Sequence, residues 1–289
     1  MFESLSRSWT FAKASYGLVW KNKRMLIFPI VSGVAALLVL GSFLVPLHST
    51  GALAVWSEAA TGSEEEAMPV AAWITLFAYY VVNFFVIVFF NSALVVCAMR
   101  HMQGQPVRIG DGLAAAARRW HAILCWAIVS AVVGVLLRAL ESNRKTGQIV
   151  SGLIGMAWTV MTYFVVPVIV VDNRGPIQAI RDSAAALKRT WGTALAGNFS
   201  LGLVNFLLFI PVLIAAVALG AVGVMSGSLP ATLLAFAAAA LLIILFACLS
   251  SAAGTVFKTI LFSYATGKGL PDDMAPQALE SAFRSKQDR

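Results

Sequence analysis

Six long runs of hydrophobic residues, separated by short polar segments, dominate the pattern of this chain. Each run reaches about 20 residues or more, which is enough for an α-helix to cross the hydrocarbon core of a bilayer. We therefore predict an all-α, polytopic membrane protein that forms a single membrane domain over residues 1–289. The predicted transmembrane helices cover residues 25–47, 69–99, 121–140, 148–171, 193–224 and 231–262, and a cytoplasmic tail covers residues 263–289.

Three polar segments beside these runs have the periodicity of an amphipathic helix. We predict that they lie flat in the membrane interface, over residues 2–20, 106–120 and 176–191. The third has an apolar stripe at spacings of three and four residues, which falls on one helical face, made of Ile177, Ile180, Ala184, Leu187 and Trp191. Basic residues lie off this stripe, and that combination is typical of an interfacial helix. A soluble connecting helix is the alternative, but the apolar runs on both sides favour the interface, and Gly192 is predicted to end the helix.

The second and third amphipathic segments share a spacing of charged and aromatic residues. Asp111, Arg118 and Trp120 have the same mutual separations as a later set, which consists of Asp182, Arg189 and Trp191. This similarity predicts an internal repeat of one amphipathic helix followed by two spans. The residues that we expect to contact lipid at the interface are Trp120, Arg118, Ile180, Leu187, Lys188, Arg189 and Trp191.

The basic residues are distributed unevenly between the two ends of the spans. The net charge is +8, although only 12% of the residues are charged. Lys and Arg cluster at the N-terminus, after the second and fourth runs, and towards the C-terminus; the other side carries only Arg138, Arg144 and Lys145. The positive-inside rule then predicts cytoplasmic termini in an inner membrane. We expect anionic lipid headgroups as partners, together with a homo-oligomer or a membrane-protein partner, and no nucleic acid.

No motif in the chain nominates an enzyme. The three cysteines and three histidines show no metal-ligand spacing, and no nucleophile elbow, phosphate-binding loop or dinucleotide fingerprint is present. No Asp, Glu, Lys or Arg lies near the middle of an apolar run, which argues against a proton-driven transporter. We therefore expect a protein that is not an enzyme, with no catalytic residue, no cofactor and no metal site.

Asparagines provide the main polar side chains within the runs. Asn83 and Asn91 share roughly one face of the second span, and Asn198 and Asn205 share one face of the fifth. Two interpretations remain open. These side chains either form hydrogen bonds between helices, or they line a path for a solute.

The segment VPVIVVDNRGPIQAIRDSAAALKRTWGTAL resembles a signature found in a loose group of bacterial six-span membrane proteins. In that group a valine-proline run precedes a short helix with a core like Ala179-Ile180-Arg181-Asp182-Ser183. The group includes the membrane domain of some glycerophosphodiester phosphodiesterases and several families of unknown function, and the chain is more similar to the latter. The phosphodiesterase catalytic domain is absent, so the resemblance implies a fold type without that activity.

Two functional hypotheses follow from these patterns. The first is a non-enzymatic multi-pass membrane protein that organises lipid or partner proteins at the cytoplasmic face. The alternative is a passive channel or exporter for a small solute or ion, lined by the four asparagines.

Overall fold

The computed structural model describes residues 15–53, 56, 69–141 and 144–268, with the backbone alone for residues 144–146 and 191–200. Within these ranges the regular elements are helices and no strand occurs, so the predicted all-α class is confirmed. Six helical segments among the described residues are long and apolar enough to cross a membrane. They are Lys23–Ser49, Val70–Met102, Trp120–Glu141, Gly147–Val171, Leu201–Met225 and Leu229–Thr266, and each overlaps a predicted span.

The helices follow one another with short connections. Residues 15–21 are helical, and this described segment, α1, leads through the 3-10 turn Lys23–Leu26 into the first span. The later helices are α2 Ile27–Ser49, α3 Val70–Met102, α4 Ile109–Arg118, α5 Trp120–Glu141, α6 Arg144–Met161, α7 Val165–Val171, α8 Pro176–Met225 and α9 Leu229–Thr266. Most of predicted helix 2–20, residues 54–55 and 57–68 after the first span, and tail residues 269–289 lie outside the described residues.

The chain divides into two compact units, each assembled from separate parts of the sequence. The first unit consists of Met1–Ile30, Leu94–Ile109 and Ala186–Arg289, and the second of Val31–Ala93 and Gly110–Ala185. Long helices therefore contribute different segments to different units, and each unit has its own buried residues.

In the first unit, α8 and α9 form a tight hairpin. A Cβ atom built at Gly223 would lie 2.5 Å from the Cβ of Ala235, so only glycine permits this approach. Gly227 makes the turn with a φ of +64°, which glycine adopts without a steric cost. Pro230 then lies in the first turn of α9, where its missing N–H leaves no gap in the helix. The core of this unit includes the fully buried ring of Phe257.

In the second unit, α5 packs against α6. The rings of Trp126 and Trp158 stack with centroids 5.7 Å apart and an interplanar angle of 11°. Further along α5, Gly134 lies next to the ring of Tyr80 on α3. Aromatic rings thus contribute to the packing of α5 against both α3 and α6.

The fourth span is not the continuous helix that the sequence predicted over residues 148–171. Helix α6 ends at Met161 and α7 begins at Val165, with a turn between them. Pro167 explains the break, because its ring clashes with the carbonyl of Tyr163 and it donates no hydrogen bond there. The backbone N–H of Phe164 donates instead to Ser183 Oγ at 2.9 Å, and both residues are buried. Irregular backbone at membrane depth is tolerated when protein groups satisfy it in this way.

The predicted helix end at Gly192 is wrong. Helix α8 runs without interruption from Pro176 to Met225, through both Gly192 and Pro211. Glycine in a helix interior costs only about 1 kcal/mol relative to alanine, which the apolar helix that follows readily outweighs. The predicted amphipathic segment and the predicted fifth span are therefore two parts of one helix.

Candidate functional site

The first turns of α8 have three distinct faces. Successive residues turn by about 100°, so the buried residues fall on one side of the helix; they are Ala179, Ser183, Ala186, Leu187 and Thr190. The exposed cations Arg181, Lys188 and Arg189 lie on the opposite side. Small side chains form most of the buried face, which lets the helix pack closely.

The apolar stripe predicted from the sequence lies between these two faces. Ile177 is 72% exposed and Ile180 is half-buried, so apolar side chains on this stripe remain at least partly exposed. Leu187 is only 5% exposed and belongs to the buried face. It lies at the border of both faces, about 80° from Ile177, and spacing alone does not distinguish the two. The side chain of Trp191 lies outside the described part of the chain.

Helix α4 repeats the burial pattern of this segment at the positions that the sequence repeat aligns. Gly112 and Ala116 are buried, as are their counterparts Ser183 and Leu187. Arg118 is exposed like Arg189, and Trp120, at the start of α5, is 55% exposed. The equivalent burial supports the predicted internal repeat, which remains a prediction. The two copies differ in one respect, since α4 ends at Arg118 whereas α8 continues into a span.

An ion pair lies at the entry of α8. Arg174 Nε is 3.6 Å from Asp182 Oδ2, with both side chains about half-exposed. Pairs with this degree of exposure contribute little to stability, from about 0 to 1 kcal/mol. Its effect is to neutralise part of the charge near the start of the helix, so the exposed basic character comes mainly from Arg181, Lys188 and Arg189.

The asparagines of the second span contact their own helix or are partly enclosed. Asn83 Nδ2 donates to the Tyr79 hydroxyl at 3.2 Å, one turn earlier on α3. The Oδ1 atom of Asn83 and the Oγ atom of Ser92 are buried, and neither has a hydrogen-bond partner among the described residues. Asn91 is half-buried. A buried polar atom without a partner is unfavourable in an apolar environment, so these atoms are the places where water would be accommodated.

Asn205 on the fifth span has a different environment. The Tyr16 hydroxyl donates to Asn205 Oδ1 and lies 3.5 Å from Ser250 Oγ, so α1 joins the two helices of the hairpin. Leu18 and Val19 are buried beside this contact. Burial raises the pKa of Tyr16, and the hydrogen bond with Ser250 lowers it by a smaller amount. This geometry is an interhelical contact. The side chain of Asn198 lies outside the described residues.

A second polar contact holds the other end of α1. Asn22 Nδ2 lies 2.9 Å from His101 Nδ1, which connects the start of the first span to the end of the second. Sequence reasoning missed this contact and the Tyr16–Asn205 bond, because nothing in local spacing pairs residues so far apart. In the part of the chain that the structure describes, no three His, Cys, Asp or Glu side chains come together to hold a metal ion.

A family model described as a family of unknown function, DUF6159, matches residues 70–269. The chain belongs to the DUF6159 family. The match covers more than two thirds of the chain and starts at the first residue of α3. Membership of DUF6159 therefore extends over the second to sixth candidate spans and includes both segments with the shared burial pattern. No curated protein matches the chain.

Proposed function

We propose that the chain is a non-enzymatic multi-pass membrane protein that organises lipid or partner membrane proteins at the cytoplasmic face. The three-faced start of α8 carries this proposal. One face is buried in protein, a second presents Ile177 and Ile180, and a third presents Arg181, Lys188 and Arg189. A helix at the boundary of protein, lipid and water needs these three faces, and its basic side favours anionic headgroups.

The distribution of cations supports an orientation with both termini in the cytoplasm. If each candidate span crosses the membrane, alternation places the N-terminal end of the first span and the C-terminal ends of the second, fourth and sixth on one side. Most Lys and Arg residues lie at these ends, so we place both termini in the cytoplasm and the chain in an inner membrane. A homo-oligomer or another membrane protein is the partner that we propose, with no nucleic acid and no cofactor.

The resemblance noted for the segment around Ala179 to Ser183 extends the proposal to its biological setting. We propose a bacterial origin and a fold shared with the membrane domain of glycerophosphodiester phosphodiesterases. The supporting feature is the valine-proline run followed by the amphipathic start of α8. That shared fold would carry no phosphodiesterase activity, because the segment supplies no catalytic residues.

Spin labels test the position of the helix. After replacement of the native cysteines, labels at Ile177→Cys, Leu187→Cys and Lys188→Cys are compared in reconstituted vesicles. We expect the first label to be relaxed by oxygen, the third by an aqueous nickel reagent, and the buried one by neither. Equal access of the aqueous reagent to positions 177 and 188 would contradict an interfacial position.

A functional test uses the same face. The double variant Ile177→Ser/Ile180→Ser should insert normally but retain fewer co-purifying lipids and fewer cross-linked membrane proteins. The matched control Gln178→Ser/Ala185→Ser changes exposed residues of the same helix that lie off the stripe. If the two variants keep the wild-type lipid content and cross-links, the stripe does not recruit lipid or partners.

A passive channel or exporter for a small solute or ion is the second candidate. One observation favours it, namely that Asn83 Oδ1 and Ser92 Oγ are buried without a partner among the described residues. Water or a permeating solute beside Asn83 would satisfy its Oδ1 atom, whereas Ser92 lies about 180° away around α3 and faces another direction. Solute flux into reconstituted vesicles should fall in Asn83→Leu and Asn91→Leu if this pathway exists, and the same substitution at Asn205 should act through stability because Asn205 binds Tyr16. Absence of flux for the wild type would remove this candidate.

A further inference from the structure

Cations flank both residues of the contact between Asn22 and His101 in the first unit. Lys21 and Lys23 flank Asn22, and Arg100 precedes His101 in the last turn of α3. Because the Asn22 and His101 side chains lie 2.9 Å apart, the contact brings together two sequence-distant segments that each carry cations. Lys21 and Lys23 are exposed, and Arg100 is half-buried.

Two further cations extend the group. Arg24 is exposed in the 3-10 turn, one residue after Lys23. Arg108 is exposed in the loop after α3, and its carbonyl oxygen lies 3.6 Å from Cys97 Sγ, so this loop folds back along the end of the helix. We call the set Lys21, Lys23, Arg24, Arg100 and Arg108 the basic cluster.

The basic cluster lies where phospholipid headgroups lie. Its members occupy the start of the first candidate span and the end of the second, and alternating spans place these ends on the same side of the membrane. Trp20 is 64% exposed and its ring lies 4.9 Å from Lys23 Nζ. An exposed tryptophan beside a lysine is typical of the headgroup level of a bilayer. Lys21, Lys23, Arg24 and Arg108 expose their side chains here, so charge complementarity favours an anion.

We propose that the basic cluster binds the phosphate headgroups of anionic phospholipids. Clusters of four to eight Lys and Arg residues directly beside a span bind such headgroups through their combined charge. The inference rests on the proposed function, since it names the class of lipid that the protein gathers, but it uses residues that are separate from the start of α8. If the inference about the basic cluster fails, the proposed function of the α8 start can therefore still be tested, and the reverse is also true.

The experiment follows thermal unfolding of the full chain in a neutral detergent. Short-chain phosphatidylglycerol, short-chain phosphatidylcholine and inorganic phosphate are titrated separately, because a ligand that binds only the folded state raises the unfolding midpoint. We compare the wild type with the variant Lys21→Gln/Lys23→Gln/Arg24→Gln. The matched control Arg138→Gln/Arg144→Gln/Lys145→Gln removes the same charge from the opposite ends of the spans.

We expect phosphatidylglycerol alone to raise the midpoint in a saturable way. The cluster variant should need on the order of tenfold more of this lipid, whereas the control should behave as the wild type. Should the cluster variant not fold, the wild type alone still tests the proposal, because 0.5 M NaCl should weaken the phosphatidylglycerol titration and leave the phosphatidylcholine titration unchanged.

Three results would overturn the proposal. They are equal shifts with both lipids, a titration that neither the cluster variant nor salt weakens, and a saturable shift with inorganic phosphate of the same size. The last result would identify a site for a free anion. The variant Ile177→Ser/Ile180→Ser leaves the basic cluster intact. If this variant retains as much co-purifying lipid as the wild type, the result counts against the proposed function alone.

Discussion

The two units of the chain differ in charge and in the kind of polar contact that holds them. Fourteen of the 21 Lys and Arg residues but five of the 13 Asp and Glu residues fall within the ranges of the first unit, so it carries nine net positive charges. The second has seven basic and eight acidic residues and is nearly neutral. The excess of positive charge therefore lies in the first unit, whereas the basic and acidic residues of the second nearly balance.

The contacts differ in a parallel way. In the first unit, Tyr16 and Asn205 are separated by 189 residues and Asn22 and His101 by 79. In the second unit, Asn83 contacts a residue four positions earlier, and the longer connection is the one from Ser183 to the Phe164 backbone. The first unit thus has polar contacts between sequence-distant helices. The second has a buried hydrogen bond from the Phe164 N–H to Ser183 at a helix break.

The largest effect is expected from truncating the buried face of α8. Leu187→Ala should lower the free energy of unfolding in mixed micelles by about 2–5 kcal/mol, because it removes buried methyl groups and leaves a cavity. The control Ile177→Ala, on the exposed stripe of the same helix, should change it by less than about 0.5 kcal/mol. Equal effects of the two substitutions would mean that the three-faced description of this helix is incorrect.

The next largest loss of stability is expected from removing the hydrogen bond between the Phe164 N–H and Ser183 at the break in the fourth span. Ser183→Ala leaves the buried N–H of Phe164 without its acceptor and should cost about 1–3 kcal/mol of unfolding free energy. Ser42→Ala is the control, since the exposed Ser42 hydroxyl only donates to a carbonyl of its own helix. Hydrogen exchange at Phe164 should accelerate in the first variant only. Unaltered exchange there would show that the serine is not required at the break.

The Tyr16–Asn205 hydrogen bond of the first unit should contribute more to the free energy of unfolding than the Asn83–Tyr79 hydrogen bond of the second. Tyr16→Phe should lower the free energy of unfolding by about 0.6 kcal/mol, the average for hydrogen bonds between membrane helices. Tyr79→Phe should cost less, because its partner Asn83 lies on the same helix. Chemical unfolding of the two variants measures the difference. A larger loss in Tyr79→Phe would reverse the comparison between the units.

The smallest effect is a dependence on alkaline pH. Burial raises the pKa of Tyr16 above its usual value of 10.0, so the folded state keeps this proton when the unfolded state has lost it. Stability from this group is therefore complete below pH 10 and falls as the pH rises from there to the folded-state pKa. The unfolding free energy should fall more steeply above pH 10 in the wild type than in Tyr16→Phe. Parallel pH profiles would exclude this linkage.

The spans could be predicted from sequence because hydrophobic length is a local property. All six predicted runs overlap helices of sufficient length. The distribution of Lys and Arg between these runs can also be read from the sequence without tertiary structure. The break at residues 162–164 was also encoded locally, by Pro167, but the valines around it hid that signal within an apolar run. A proline in the interior of a run does not break the helix by itself, since α8 continues through Pro211; at Pro167 the Ser183 hydroxyl also accepts from the Phe164 N–H beside the break.

The candidate sites were less predictable because burial depends on what packs against a helix. The buried face of α8 uses Ala179, Ser183 and Ala186, which are less hydrophobic than Ile177 on the exposed stripe. In a membrane the most hydrophobic side chains face lipid and small ones face protein, which reverses the expectation from soluble helices. The partner of Asn205 is Tyr16, and no periodicity relates residues 189 positions apart.

The break in the fourth span also bears on how the chain is made. The acceptor for the Phe164 amide, Ser183, lies 19 residues further along in the first turns of α8, so the fourth span is synthesised before the side chain that satisfies its break. Helix α7 is the last part of the fourth candidate span, which has 25 residues and is long enough to cross a bilayer. We therefore expect the break to gain its hydrogen bond only after the start of α8 has been made and has packed against it.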